Sequence, residues 1–314
     1  MTLPTKHIRS QGPVLATLGR TVFTAAMRKV TGKVPPELGP LPGVELRTEL
    51  PPRPRDLVRD YVRFCGGDPG RYKHVLPAHL WPQWGFPLAA QTLAAIPYPI
   101  FKVLNGGCRV EINGELPIDE PLEVRAQLVS IDDDGRRAVL EQRVVTGTPS
   151  APDAVVATLY AIVPLGGSET KPKLKTGAKP KTKARVPADA TELGRWKLAA
   201  NAGLSFAMLT GDFNPVHWVP SYARAFGFRN TILHGFATMA KAWEGLVRSR
   251  YAGDPSRLRS FDVQFTKPLT LPAKVGLYLR PGLRPGQDHD KVWVGPAPGG
   301  SAYLVGEARA KGTD

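Results

Sequence analysis

Residues 209–217 read Leu-Thr-Gly-Asp-Phe-Asn-Pro-Val-His, so a carboxylate (Asp212), a carboxamide (Asn214) and an imidazole (His217) stand within a few positions of one another. A carboxylate beside an imidazole is suited to moving protons near neutral pH. Gly211 permits a tight turn and Pro215 fixes the chain after Asn214, so one loop can present all three side chains together instead of spreading them along a strand face. The same letters also spell an ordinary turn, in which Asp or Asn bonds nearby backbone N–H groups. Further on comes Leu233-His234-Gly235. A histidine ahead of a helix reads first as a cap or a backbone-bonded residue. Trp218, Tyr222, Phe226 and Phe228 lie between, as pocket lining or as core.

Other chemistries find less support. The chain has no GxSxG elbow, no HExxH, no P-loop, and no GxGxxG following a strand. Asp288-His289-Asp290, among glycines and prolines, reads as a solvated turn and not a metal site. No metal and no cofactor is implied.

The elements that must position these residues form a pattern that occurs twice. Gly43 to Leu50 alternates as a half-buried strand does, and Pro52 to Cys65 reads as a helix ended by Gly66 and Gly67. The order returns as a strand over Gly194 to Ala200, Asn201 as N-cap, and a helix over Ala202 to Leu209 closed at Gly211. His79 and His234 then head apolar helical stretches, Leu80 to Ile96 and Gly235 to Val247. Strands follow each: Cys108 to Ile112, Leu122 to Ile131, Arg137 to Thr146 and Ala154 to Val163 in the first copy; Phe261 to Phe265, Lys274 to Leu279, Lys291 to Val294 and Ala302 to Ala308 in the second. A helix apolar on nearly all sides, followed by antiparallel strands, implies a curved sheet wrapped around it. Two such sheets edge to edge would make one sheet with the two helices side by side. In the first copy Asp68 lies closer to His79 than Asp212 does to His234, and no Asn or His stands between in the required order, so no chemistry is expected there; His79 reads as a relic.

At 314 residues the chain fits two units of ordinary size. Its two cysteines, Cys65 and Cys108, supply neither a disulfide framework nor a zinc cluster and suit a reducing, cytoplasmic setting. No apolar run approaches the ~20 residues of a membrane span, and the N-terminus reads as no cleaved signal. A helix over Val14 to Val30 is expected to pack on the body. The formal charge is +15. Lys171, Lys173, Lys175, Lys179, Lys181, Lys183 and Arg185 concentrate part of it in a Pro-interrupted tract, which reads as a solvated linker; without interleaved aromatics it does not read as a nucleic-acid site. The expected divisions are an extension (1–42), a first repeat (43–166), a basic linker (167–188) and a second repeat (189–314).

The segment from Thr210 to Gly235, TGDFNPVHWVPSYARAFGFRNTILHG, resembles the signature of the MaoC-like dehydratases and R-specific enoyl-CoA hydratases, Gly-Asp-x-Asn-Pro-x-His followed by a His-Gly helix start. The resemblance is strong over Asn201 to Pro272, weaker over the first repeat, and absent from the extension and linker. It implies an α+β double hot-dog fold, with two curved antiparallel sheets each wrapped around a central helix, the first repeat degenerate and the second catalytic. It further implies reversible hydration of trans-2-enoyl thioesters, carried by CoA or acyl carrier protein, to 3R-hydroxyacyl thioesters. In that reading Asp212 and His217 are the catalytic pair, Asn214 positions, and the Gly235 N–H holds the thioester carbonyl; Lys267, Tyr222, Phe228 and His234 are candidates to touch substrate. Lys241 and Arg229 are further candidates for CoA phosphates. The competing readings are a hot-dog acyl-CoA thioesterase and a non-catalytic acyl-CoA-binding protein, and a homodimer stays open. If the basic tract is a solvated linker, replacing its lysines between 171 and 183 by glutamine leaves the melting temperature nearly unchanged; a large loss in a thermal melt overturns the linker reading.

Overall fold

The computed structural model describes residues 3–12, 39–94, 96–99, 103–165, 184–282 and 289–311. The expected Val14 to Val30 helix and the lysine tract lie outside them.

The duplicated pattern folds as two copies of one unit. In the first, β1 (Leu46–Leu50), α1 (Arg55–Cys65) and α2 (Pro82–Thr92) precede β2 (Leu104–Ile112), β3 (Leu122–Asp133), β4 (Arg137–Gly147) and β5 (Val155–Pro164). In the second, β6 (Thr191–Leu198), α3 (Ala202–Thr210), α4 (Pro220–Ala225), the short β7 (Ile232–Leu233) and α5 (Gly235–Ser249) precede β8 (Leu258–Phe265), β9 (Leu269–Thr270), β10 (Ala273–Arg280), β11 (His289–Gly295) and β12 (Leu304–Ala310). Strand order in the main sheet is β1-β3-β4-β5-β2-β8-β12-β11-β10-β6. Read inward from either end, the two halves have the same order. They meet where β2 pairs antiparallel with β8, Gly107 opposite Gln264 through Glu111 opposite Ser260. β7 and β9 form a separate two-stranded ladder.

α2 lies on β1, β3 and β4, and α5 on β6, β8 and β12. α5 is buried from Phe236 to Val247, as a helix inside a wrapped sheet must be. Its first-copy counterpart is shorter than the expected Leu80 to Ile96. Ala78–Leu80 forms a 3-10 turn, Pro82 opens the helix and Leu93 closes it. Both concave faces drain into one apolar cluster, with Trp81 from one copy and Trp243 from the other among its largest fully buried side chains.

Two expectations need correction. The tract expected to run as linker to 188 is docked from residue 184 onward: Val186 is fully buried against a cluster that includes Tyr278 and Trp293, and Arg185 bridges to Ser301. Apolar Val186 has more to gain from that cleft than from water. The expected solvated turn at Asp288-His289-Asp290 is, from His289, the start of β11. Asp290 is buried there because Arg250, just past α5, reaches its carboxylate at 2.7 Å. Among the described residues the cysteines are free and buried, Cys65 at the end of α1 and Cys108 in β2.

The start of the chain is anchored as well. Thr5–Gln11 forms a 3-10 turn lying on α3. From it Lys6 Nζ reaches Asp60 of α1 at 2.8 Å and buried His7 Nε2 meets the same carboxylate oxygen at 2.9 Å. Partial burial pushes the Asp60 carboxyl up, but hydrogen bonds from Lys6 and His7 pull harder and hold it at about 2. A depressed carboxyl stabilises the folded form above its unfolded value, ordinarily 3.8, and that contribution disappears as pH falls toward 2. Asp60→Asn therefore lowers the melting temperature at pH 7, and the gap from the unchanged protein closes between pH 4 and pH 2. A gap independent of pH in melts across that range removes the Asp60 carboxylate as its source.

Candidate active site

Apart from Ser205, α3 is apolar up to its last turn. There Thr210 Oγ1 folds back on the Phe206 carbonyl at 2.9 Å, and Gly211 takes a left-handed φ of 83°, its N–H closing on Ala207 O at 2.8 Å. The chain then turns twice on its own side chains. Asp212 Oδ1 accepts from the Asn214 N–H at 3.3 Å, and Asn214 Oδ1 accepts from the Val216 N–H at 3.2 Å, which caps the 3-10 turn Pro215–His217. The turn-forming and chemical readings of this string are thus compatible: Asn214 is exposed and holds the turn, and the turn carries His217 back toward Asp212. Gly203 makes the approach feasible, since a Cβ there would lie 2.0 Å from the His217 carbonyl oxygen. A glycine inside a short helix was the sequence's signal of that contact.

His217 Nδ1 lies 2.9 Å from the Ile232 carbonyl oxygen. A carbonyl can only accept, so Nδ1 carries the hydrogen and Nε2 is the basic nitrogen of the neutral ring. His234 Nε2 lies 3.0 Å from the Asp212 carbonyl oxygen, which by the same logic leaves its buried Nδ1 as a lone pair without a protein partner. The two rings stack, centroids 3.5 Å apart and 25° between planes. Burial lowers the His217 imidazole below its ordinary value while the Asp212 carboxylate pulls the other way. Burial first, and His217 second, push His234 down to about 3. His234 is therefore neutral across the physiological range.

Asp212, His217 and His234 each bring one oxygen or nitrogen within 4.8 Å of the others, a set that could hold a cation. The stacking counts against it. Ring-nitrogen lone pairs lie in the ring planes, and two nearly parallel planes do not aim them at one point. The donor set fits proton transfer better than metal binding.

Gly235 follows His234 and begins α5, whose first N–H groups have no acceptor inside the helix and face the end with positive dipole. The Phe265 ring of β8 lies against Gly235. Lys267, two residues on, is exposed. Tyr222 is exposed on α4 and stacks on Phe226 at 4.6 Å, Trp218 is also exposed, and Phe228 is half-buried, so the group as a whole is not plain core. Arg229 is exposed. Lys241 is not available to a CoA phosphate: it is buried, donates to the Phe64 carbonyl of α1 and lies over the Phe64 ring. It faces inward from α5, which has no solvent face along this stretch.

The first copy does not repeat this cluster. α1 ends at Gly66 in the same left-handed turn as Gly211, so Gly67, and not Asp68, stands opposite Asp212. Asp68 instead caps a 3-10 turn through the Gly70 N–H. The space beside Gly67 is taken by Glu244 of α5, whose carboxylate would lie 2.3 Å from a Cβ at that position. Glu244 Oε1 meets His79 Nε2 at 2.8 Å, and both are buried. His79 is thus more than a relic, being the anchor of α5 in the other copy.

Residues 173–281 match the model of the MaoC like domain. The probable enoyl-CoA hydratase 2 of Dictyostelium discoideum is 25% identical over 182 residues, covering 57% of this chain and 60% of that protein. The chain spans about a quarter of two further curated relatives. HtdX of Mycobacterium tuberculosis, 18% identical, superposes with a TM-score of 0.66 over 85% of this chain and all of that one. Another Mycobacterium tuberculosis protein, described as a double hotdog fold, is 12% identical and superposes with a TM-score of 0.54 over 87% of this chain and 96% of that one. At such identities the superpositions speak for the fold alone. The superpositions agree with the expected α+β double hot-dog, and over residues 173–281 the chain carries a MaoC-like domain.

Proposed function

We propose that the protein hydrates trans-2-enoyl thioesters reversibly to 3R-hydroxyacyl thioesters, with the chemistry in residues 189–314 and residues 43–166 as the non-reacting partner. The observation that carries the proposal is the free basic nitrogen of His217, fixed by the Ile232 carbonyl beside the Asp212 carboxylate and next to the start of α5. The domain match and the hydratase relative support the substrate class.

Water is a weak nucleophile, and two acceptors are needed to orient it. The Asp212 carboxylate takes one hydrogen and His217 Nε2 the other. As the water oxygen bonds C3, His217 receives a proton and the C2–C3 π pair moves onto the thioester oxygen, where the Gly235 N–H stabilises the growing charge. The imidazolium, held by Asp212, then returns a proton to C2 as the carbonyl re-forms. Both transfers come from one loop and one face of the substrate. The addition is therefore syn.

Three measurements test this. Asp212→Asn and His217→Ala each lower kcat on crotonyl-CoA by at least ~10²-fold while the fold survives; turnover like the unchanged protein in either folded variant removes the pair. Because the imidazole must be neutral, kcat/KM falls on the acid side through a pKa below the ordinary 6.5 of histidine; an acid limb above that value contradicts the burial of His217. The product reduces NAD with a 3R-specific dehydrogenase. Reduction by a 3S-specific enzyme alone overturns the geometry, thiol release points to a thioesterase, and binding without turnover to an acyl-CoA-binding protein.

A further inference from the structure

The carbonyls at the end of α3 are satisfied from an unexpected direction. Met208 and Leu209 are in the last turn, where carbonyl oxygens have no N–H of the helix to accept from. Gln11, fully buried at the end of the N-terminal 3-10 turn, donates its Nε2 to both, at 3.3 Å and 3.2 Å. Its Oε1 accepts from Gln83 Nε2 of α2 at 3.2 Å, and Gln83 Oε1 accepts from Arg53 at 3.4 Å. This chain of amides sets the orientation of each, since the donor of Gln83 must meet the oxygen of Gln11 and so turns the Gln11 amine toward α3. A second anchor lies a turn earlier, where His7 and Lys6 grip Asp60 of α1.

We infer that Gln11 is a positioning residue for the proposed hydration, fastening the end of α3, and with it Asp212, to the first repeat. The inference rests on the reaction proposed above. Asp212 lies three residues beyond Leu209, and its own carbonyl receives His234 Nε2, so a shift of the last turn of α3 moves the carboxylate and disturbs the stacked imidazoles together. Displacement of a reacting group by ~1 Å is enough to cost ~10²-fold in rate. Bare buried carbonyls, left by removing their donor, supply the force for such a shift.

The test uses the full-length protein with two substitutions of similar size. Gln11→Met keeps the volume and removes the donor; Gln11→Glu keeps the shape and sets a carboxylate against the two carbonyls. Both lower kcat by ~10-fold or more, Gln11→Glu the further, with KM within about twofold, because positioning of Asp212 is lost and thioester binding is not. Backbone amide exchange over residues 209–214 accelerates by ~10-fold while exchange in α5 and the central strands is unchanged. If Gln11→Glu does not fold, Gln11→Met decides alone. Unchanged local exchange, or kcat within about twofold of the original in folded Gln11→Met, overturns the role of Gln11. Faster local exchange in a protein whose unsubstituted form does not hydrate crotonyl-CoA sinks the reaction and leaves the positioning contact standing.

Discussion

The molecule depends on the antiparallel seam between β2 and β8. Each repeat alone would present an edge strand with unpaired N–H and C=O groups and a helix with one flank bare. Joining edge to edge satisfies both needs at once. It makes a single sheet, and it sets the 3-10 turn ahead of α2 and the body of α5 against each other, so that Trp81 meets Phe236 and His79 meets Trp243 across the middle. The seam is close: at Gly107 a Cβ would lie 2.1 Å from the Val263 carbonyl.

The site is built on the rim of that arrangement, from groups whose protonation is settled by what surrounds them. One carbonyl, from Ile232, selects the tautomer of His217; another, from Asp212, selects that of His234. Stacking at 3.5 Å then sets a limit, because two imidazolium rings face to face would repel. His234 is the one that stays neutral, and the Asp212 charge is left to favour a cation on its neighbour.

Much of this was legible in the letters. The repeat, the strands after each helix and the turn from Gly211 to His217 all follow from periodicity and turn chemistry, which act over a few residues. What escaped depends on distant partners. Nothing near Gln11 tells that its amide will meet Met208, and nothing near Lys241 or Asp290 tells that a charge will be buried, since their partners at Phe64 and Arg250 are set by the tertiary arrangement. The shortness of α2 could have been weighed from Pro82, with Pro87 inside it and Pro97 just beyond its end, but the apolar pattern outlasts the helix.

Glu244 makes the difference between the two repeats hard to undo. Where the second repeat has Asp212 the first has Gly67, and the space beside that glycine is filled by a side chain from the other repeat, paired with His79. An aspartate placed at position 67 meets an occupied space, while removing Glu244 alone strands His79 Nε2 without its partner in the core. Either single step is disfavoured, so the asymmetry between the halves is a ratchet: giving the first repeat an acid at position 67 takes at least two concerted changes.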